Sequence, residues 1–481
     1  MYKDGSIVDL EYIQMLYANE RYDDLFETMD RLINLEAREE YKNYDYMHYV
    51  IAALVKTCNY RNALKHSRRF IKKYPEDYRT YMDSASVCIQ FIREERTENS
   101  KSYKAWCSRA LEKSLKAYSL NQNDVKLYNT IAEIYQMLAN PEIALEWLDK
   151  AIQKDSTYSY AYFHKTTILR EMHRWDDAIQ VYEALLKRMP WESDVCYFQM
   201  GDTMFDAGNI DAALGFYQKS LEIDSNDCYC VDKIADCYEL LGDSEKVIET
   251  YQNALNYDVS KGYIKWRLAE YLYYKKRIEE ALSIYTEITN SNKYDIWNAI
   301  LSCKSAALIY LNKKDFKNAL HYSEKGLKYL TQALQEYPDY IKDNSDTAIN
   351  LNMVFADCKF FQENFTESIA AYNKALEYFE FYKLAANQEL AENALKTSIS
   401  PVYTRLAVIY LCLNDLEKVA EYLNRNPEYQ SSEGCYFLVK AELAYRLGNL
   451  DEAKILYKKS VEMNDNVFDE QDKKILTILN M

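Results

Sequence analysis

Residues Met200 to Ser220 read MGDTMFDAGNIDAALGFYQKS. Two small residues, Gly201 and Ala213, each have a large one three or four places on, Met204 and Tyr217. On a helix, residues at that spacing share a face, so a close-approach point sits beside a filling side chain. Gly208 lies between the halves, where glycine readily takes the left-handed conformation that ends a helix. The stretch predicts two antiparallel helices in close contact, joined by a turn at Gly208.

The pattern repeats outward. Ala213 recurs as Ala110, Ala144, Ala178, Val247 and Ala281, in steps of 34 or 35 residues. Gly201 is matched by Ala132, Thr166, Ala235 and Ala269, and Met204 by Tyr135, Leu169, Tyr238 and Leu272. Tyr217 is matched by Leu148, Tyr182, Tyr251 and Tyr285. A fixed period of this length marks one supersecondary unit stacked on itself, not a set of separate globular domains. Composition agrees: the 481 residues hold 9 Gly and 6 Pro, where average usage would give about 34 and 24. So little glycine suits helices and short turns better than sheets or dinucleotide-binding folds. With 48% hydrophobic residues the chain can build a large core and is not a disordered polymer.

These positions resemble the tetratricopeptide repeat (TPR) family, with Met200-Gly201, Met204, Gly208, Ala213, Tyr217 and Ser220 the best single match. Weaker units continue toward the N-terminus (Ala63, Phe70, Pro75, and before them Leu25, Met29, Leu32). Toward the C-terminus come Ala307/Tyr310/Ala319, Ala356/Ser368/Tyr372/Ala375, Ala407/Tyr410/Val419 and Ala441/Gly448/Ala453/Tyr457. The resemblance implies an all-α, right-handed α-solenoid (superhelix) of about twelve helix–turn–helix units, plus a C-terminal capping helix over Gln471–Met481. Along the chain this gives N-terminal units over 1–124, the third with a charged insertion near 93–103, and regular central units over 125–295. Irregular units with lengthened helices follow over 296–400, then C-terminal units and the capping helix over 401–481.

The resemblance further implies that the first helix of each unit lines a concave groove. Reading those places gives Tyr160, Phe163, Thr167, Arg170 and Glu171 in the fifth unit, and Val195, Phe198, Asp202, Phe205 and Asp206 in the sixth. The seventh gives Tyr229, Asp232, Asp236, Glu239 and Leu240, and the eighth Tyr263, Trp266, Glu270, Tyr273 and Tyr274. Aromatic faces bury area and attract cations, and carboxylates among them favour Lys and Arg. The expected partner is a protein or peptide with basic or aromatic segments. Two other roles stay open: a fixed scaffold subunit docking by its convex face or ends, and a peptide-responsive regulator. The carboxylate clamp that binds Hsp70 and Hsp90 tails is not expected, because Asn129, Glu133, His164, Val195 and Gln199 (and His48 and Ala52 in the second unit) do not supply its Lys, Arg and Asn set.

Charge and motifs narrow the class. There are 59 Lys and Arg against 75 Asp and Glu, a formal net charge of −16, which repels phosphate backbones, so no nucleic acid is expected. One local exception runs from Lys56 to Arg79, with eight basic residues against Glu76 and Asp77. It reads as a solvated helix face, or as a docking point for an acidic partner or phosphate. The 11 cysteines are scattered and read as reduced thiols; Cys228, Cys230 and Cys237 have no histidine nearby in sequence, so no metal and no cofactor are expected. No phosphate-binding glycine loop, H-E-x-x-H or G-x-S-x-G occurs, which argues against an enzyme. The opening MYKDGSIVDLEYIQ carries no apolar signal region, and no apolar run reaches about 18 residues. A cytoplasmic chain without a membrane span is the expectation.

Overall fold

A computed structural model describes residues 10–35, 44–95, 101–257, 261–291, 295–338, 340–385, 399–425 and 434–463. The expected capping helix at 471–481 lies outside the described residues, as do 96–100 of the charged insertion. Among the described residues there is no strand; 24 α-helices form twelve successive pairs. The first three pairs are α1 (Leu10–Ala18) with α2 (Tyr22–Leu35), α3 (Tyr44–Lys56) with α4 (Tyr60–Lys73), and α5 (Tyr78–Glu95) with α6 (Lys101–Leu120). Next come α7 (Val125–Met137) with α8 (Pro141–Lys154), α9 (Ser159–Glu171) with α10 (Trp175–Arg188), and α11 (Ser193–Asp206) with α12 (Ile210–Ile223). They are followed by α13 (Cys228–Leu240) with α14 (Ser244–Ala254), α15 (Lys261–Tyr274) with α16 (Ile278–Asn290), and α17 (Ile296–Asn312) with α18 (Phe316–Glu336). The last are α19 (Tyr340–Phe361) with α20 (Phe365–Ala385), α21 (Ser400–Cys412) with α22 (Leu416–Arg425), and α23 (Gly434–Arg446) with α24 (Leu450–Met463). The architecture is an all-α helical-repeat solenoid. The chain divides into two compact units, one of residues 1–224 with 236–242, the other of residues 225–235 with 243–481.

One local rule makes every pair. In all the intra-pair turns that are described, a residue just past the first helix is left-handed, with φ between 56° and 85°. Gly208, Gly242 and Gly448 take it without strain, while Glu20, Cys58, Ala139, His173, Lys276, Lys314, Glu363 and Asn414 take it despite a side chain. The next amide then reaches back five residues, as Asn209 N–H does to the Met204 carbonyl (2.9 Å) and Arg174 N–H to that of Leu169 (2.8 Å). These bonds satisfy carbonyls that a helix end would otherwise leave orphaned. The same residue starts the second helix. Asn209, Asp243 and Asp315 accept amides of Ala212, Lys246 and Asn318 as N-caps, whereas Arg174 and Arg277 instead grip Asp177 and Glu280 three places on.

Packing explains the sequence period. Ala144, Ala178, Ala213, Val247 and Ala281 are buried, as are Ala132, Thr166, Gly201, Ala235 and Ala269 at the partner position. The need for a small residue is sharpest at Gly201, where a Cβ would lie 2.5 Å from the Tyr217 ring. Tyr182, Tyr217, Tyr251 and Tyr285 are fully sealed side chains at 0–2% exposure, and each hydroxyl taken out of water needs a partner. Tyr217 donates to Asp202 Oδ1 (2.6 Å), Tyr251 to Asp232 Oδ1 (2.9 Å), and Tyr285 to Glu270.

Candidate partner-binding faces on the first helices

In the first unit, the first helices α7, α9 and α11 are linked side by side by polar groups. His164 of α9 meets the side-chain amides of Asn129 (3.0 Å) and Gln136 (2.8 Å) of α7 through Nδ1 and Nε2, one ring nitrogen donating and the other accepting. Gln136 in turn donates to Glu171 (2.7 Å). Arg170 of α9 reaches Gln199 (3.2 Å) and Asp206 (2.6 Å) of α11. Burial alone pushes the His164 imidazole down to about 4, so it is neutral at physiological pH. Arg170 loses water too, but the hydrogen bond and charge of Asp206 more than offset this and hold its pKa above the usual arginine value.

These links floor an open cleft of about 540 Å³, lined by Thr167, Arg170, Glu171, His173, Trp175 and Asp206. Four of the six are first-helix positions that the repeat register singles out. His173 and Trp175 are not; they sit at the left-handed turn and the start of α10, positions that a reading restricted to first helices passes over. Beside the cleft, Tyr160 is 70% exposed. Phe163 and Phe198 are half-buried against Tyr182 and Tyr217, with ring centroids 6.2 and 5.6 Å apart. Asp202 is half-buried and accepts the Tyr217 hydroxyl, which that bond and burial hold far above the ordinary phenol pKa. Asp236 is likewise half-buried.

In the second unit, Tyr229 of α13 is 69% exposed and stands 6.3 Å from the Tyr263 ring of α15, itself 6.0 Å from Trp266. Tyr274 is 67% exposed, and Tyr273 beside it is half-buried. The Trp266 Nε1–H is buried and finds no acceptor among the described residues. The acids of this face are committed inward. Asp232 is 8% exposed and accepts from Tyr251, Tyr263 and Arg267 Nε (2.8 Å). Glu270 is half-buried and accepts from Tyr285 and Ser305 (2.6 Å). Both carboxylates therefore hold neighbouring helices together before they can offer anything to a partner.

Among the described residues no group of three or more His, Cys, Asp and Glu is placed to hold a metal ion, and the ten described cysteines are free thiols. No helix among them is long and apolar enough to cross a membrane.

The tetratricopeptide repeat family profile matches residues 436–467, which covers the last helix pair. The TPR repeat-containing protein MJ1428 of Methanocaldococcus jannaschii is 23% identical over 405 residues, 80% of this chain and 60% of that protein. Human Superkiller complex protein 3 is 23% identical over 226 residues, 47% of this chain and 12% of that protein. This chain thus spans 60% and 12% of the lengths of these two relatives. Among solved structures, the thermophilic TPR protein TTC0263 of Thermus thermophilus is 18% identical with a TM-score of 0.30, covering 47% of this chain and 96% of that one. With one turn geometry and one packing register running through its helix pairs and the family profile seated on the last of them, the chain is a tetratricopeptide repeat protein.

Proposed function

We propose that this chain is a non-enzymatic protein-interaction module whose first-helix faces hold a basic or aromatic segment of a partner protein. Tetratricopeptide repeats are generally protein-interaction modules, so the family supplies the class and the residues supply the partner's chemistry. The observation that carries the reading is a contrast between tyrosines. Tyr182, Tyr217 and Tyr285 are sealed in the core, while Tyr160, Tyr229 and Tyr274 stand on first helices with about two-thirds of their surface in water. A ring left largely in water adds little to the core and offers its exposed face and hydroxyl to a ligand. Exposed carboxylates at Glu171 and Asp206 set the local sign in the first unit, which favours Lys or Arg arriving over the rings.

The structure also selects the variants that test this. Asp202, Asp232 and Glu270 serve the fold, so replacing them would confuse binding with stability. Tyr160→Ala, Tyr229→Ala and Tyr274→Ala remove only exposed rings. On an array of short basic, aromatic, acidic and neutral peptides, the wild type should retain basic and aromatic ones. The triple variant should weaken that binding at least about tenfold while keeping its helical circular dichroism. Equal binding by the triple variant, or a preference for acidic peptides that depends on these rings, would overturn the reading.

A further inference from the structure

The second helices of the first unit differ sharply in charge. In α2, Asp23, Asp24 and Glu27 lie in the first turns. In α4 the sequence holds six basic residues and no acidic one. In α6, Lys104, Arg109, Lys113 and Lys116 stand against the single Glu112. In α8 and α10 the signs are mixed again, with Glu142, Glu146 and Lys150 on the one and Asp176, Glu183 and Lys187 on the other. Among these second helices of the first unit the basic surface is therefore confined to α4 and α6, in a chain whose net charge is −16.

Both helices pack on α5. Leu64 of α4 lies against the apolar cluster that holds Cys88 and Ile89 of α5 with Cys107 and Ala110 of α6. Burial pushes the Cys88 thiol of the intervening α5 up to about 11, opposed by the nearby charges of Arg109, Lys113 and Arg68. Arg68 of α4 and Arg109 and Lys113 of α6 are thus all within electrostatic reach of that thiol. On α4, Arg61, Lys65, Arg68 and Lys72 follow one another at helical spacing along an exposed stripe about 16 Å long. None of the four has a carboxylate partner among the described residues. Like charges three and four places apart on one helix repel each other, and along this stripe no ion pair offsets that cost.

We propose that the exposed faces of α4 and α6 are a docking surface for a short acidic segment of a partner protein, separate from the aromatic first-helix faces. The length of the stripe selects this partner among polyanions. An extended segment of about six residues spans it, with alternate side chains about 6.6–6.8 Å apart, close to the 4.5–6 Å rise between successive basic residues. A nucleic acid or a membrane plane would extend beyond this stripe over a chain whose net charge is −16, and be repelled there. Exposed large apolar side chains, which a membrane interface would favour, do not occur on α4, and among the described residues of α6 Leu115 is the only one.

The test uses the full chain and three probes: a fluorescent octaglutamate peptide, a single-stranded oligodeoxynucleotide and phosphatidylserine-containing vesicles, at near-physiological salt (about 0.15 M). The variant Arg61→Ala/Lys65→Ala/Arg68→Ala removes three exposed charges, and Lys150→Ala/Lys154→Ala/Lys187→Ala removes the same number from α8 and α10. Wild type should bind octaglutamate, the α4 variant at least about tenfold more weakly, and the control within about twofold of wild type. The triple tyrosine variant should bind it as wild type does, which separates this surface from the first-helix reading. Absence of octaglutamate binding, or equal loss in both charge-removal variants, overturns the proposal. Tighter binding of oligonucleotide or vesicles that is lost in the α4 variant overturns it too, and assigns the surface to that polyanion instead.

Discussion

In the sixth pair Asp202 accepts one hydroxyl, from the buried Tyr217, and stays half-exposed. In the seventh Asp232 accepts from Tyr251, Tyr263 and Arg267 and is buried. Both answer the same need, because the repeat seals a tyrosine hydroxyl between the two helices of a pair. The difference lies in what else the carboxylate carries. Asp202 belongs to one pair, whereas Asp232 also ties α13 to α15 through Tyr263 and Arg267. A carboxylate serving one hydroxyl can be lost at the cost of one hydrogen bond. A carboxylate that also neutralises a half-buried guanidinium cannot.

The largest expected effect breaks this comparison directly. Asp232→Ala removes the carboxylate that Tyr251, Tyr263 and Arg267 share, a loss of about 3–5 kcal/mol for a buried pair broken on one side. Asp202→Ala removes one hydrogen bond, from the Tyr217 hydroxyl, about 1–3 kcal/mol. Urea unfolding followed by circular dichroism should place Asp232→Ala well below Asp202→Ala in midpoint. Because repeat stability is roughly additive along a stack, the Asp232 variant should also show an early partial transition. Equal midpoints would mean that Arg267 finds other compensation and that the two carboxylates are equivalent.

Acid should separate the two regions in the opposite direction. Around α9 the linking group is the neutral imidazole of His164, held near 4 by burial, whereas around α15 it is Arg267, which stays charged throughout. The unfolded chain takes up a proton on this histidine near pH 6.5, and the folded chain only near 4. Stability is therefore unaffected above about pH 6.5, is lost as pH falls through the window down to about 4, and levels off below it. The loss amounts to about 2–3 kcal/mol at most, since His164 is part-exposed. His164→Gln should lower stability at pH 7.5 but flatten the dependence between pH 6.5 and 4, as read from urea midpoints at each pH. An unchanged slope in the variant would place the acid-sensitive group elsewhere.

The packing register was legible because its demands are local and periodic. Close helix approach requires small side chains at Gly201 and Ala213, and those residues recur in sequence as often as the contact recurs in space. The commitments of the acids were not legible in the same way. The period places Asp236 in line with Asp202, yet the Tyr251 hydroxyl goes to Asp232 one turn earlier, where Tyr263 and Arg267 also converge. That choice depends on side chains 31 and 35 residues further on, which no register within one unit contains. The cleft was half legible for a related reason: Arg170, Glu171 and Asp206 sit on first helices, while His173 and Trp175 enter from the turn.

The turn itself gives the smallest effect and the cleanest one. Only glycine announces a left-handed residue in a sequence, so Gly208 predicts its turn and Ala139 hides an equivalent one at φ 56°. Nothing lies within 4 Å of where a Cβ would stand at Gly208, so Gly208→Ala meets no steric partner and its cost is backbone strain alone, about 1 kcal/mol. Ala139→Gly relieves the same strain but frees the unfolded chain, so it should stabilise by less, about 0.5 kcal/mol. Opposite signs in the two urea midpoints are the expected result. If Ala139→Gly were destabilised as well, the bonds that close its turn, such as Asn140 N–H to the Tyr135 carbonyl, would already hold that side chain in the left-handed well at no net cost. The strain would then belong to Gly208's own turn and not to the left-handed position as such.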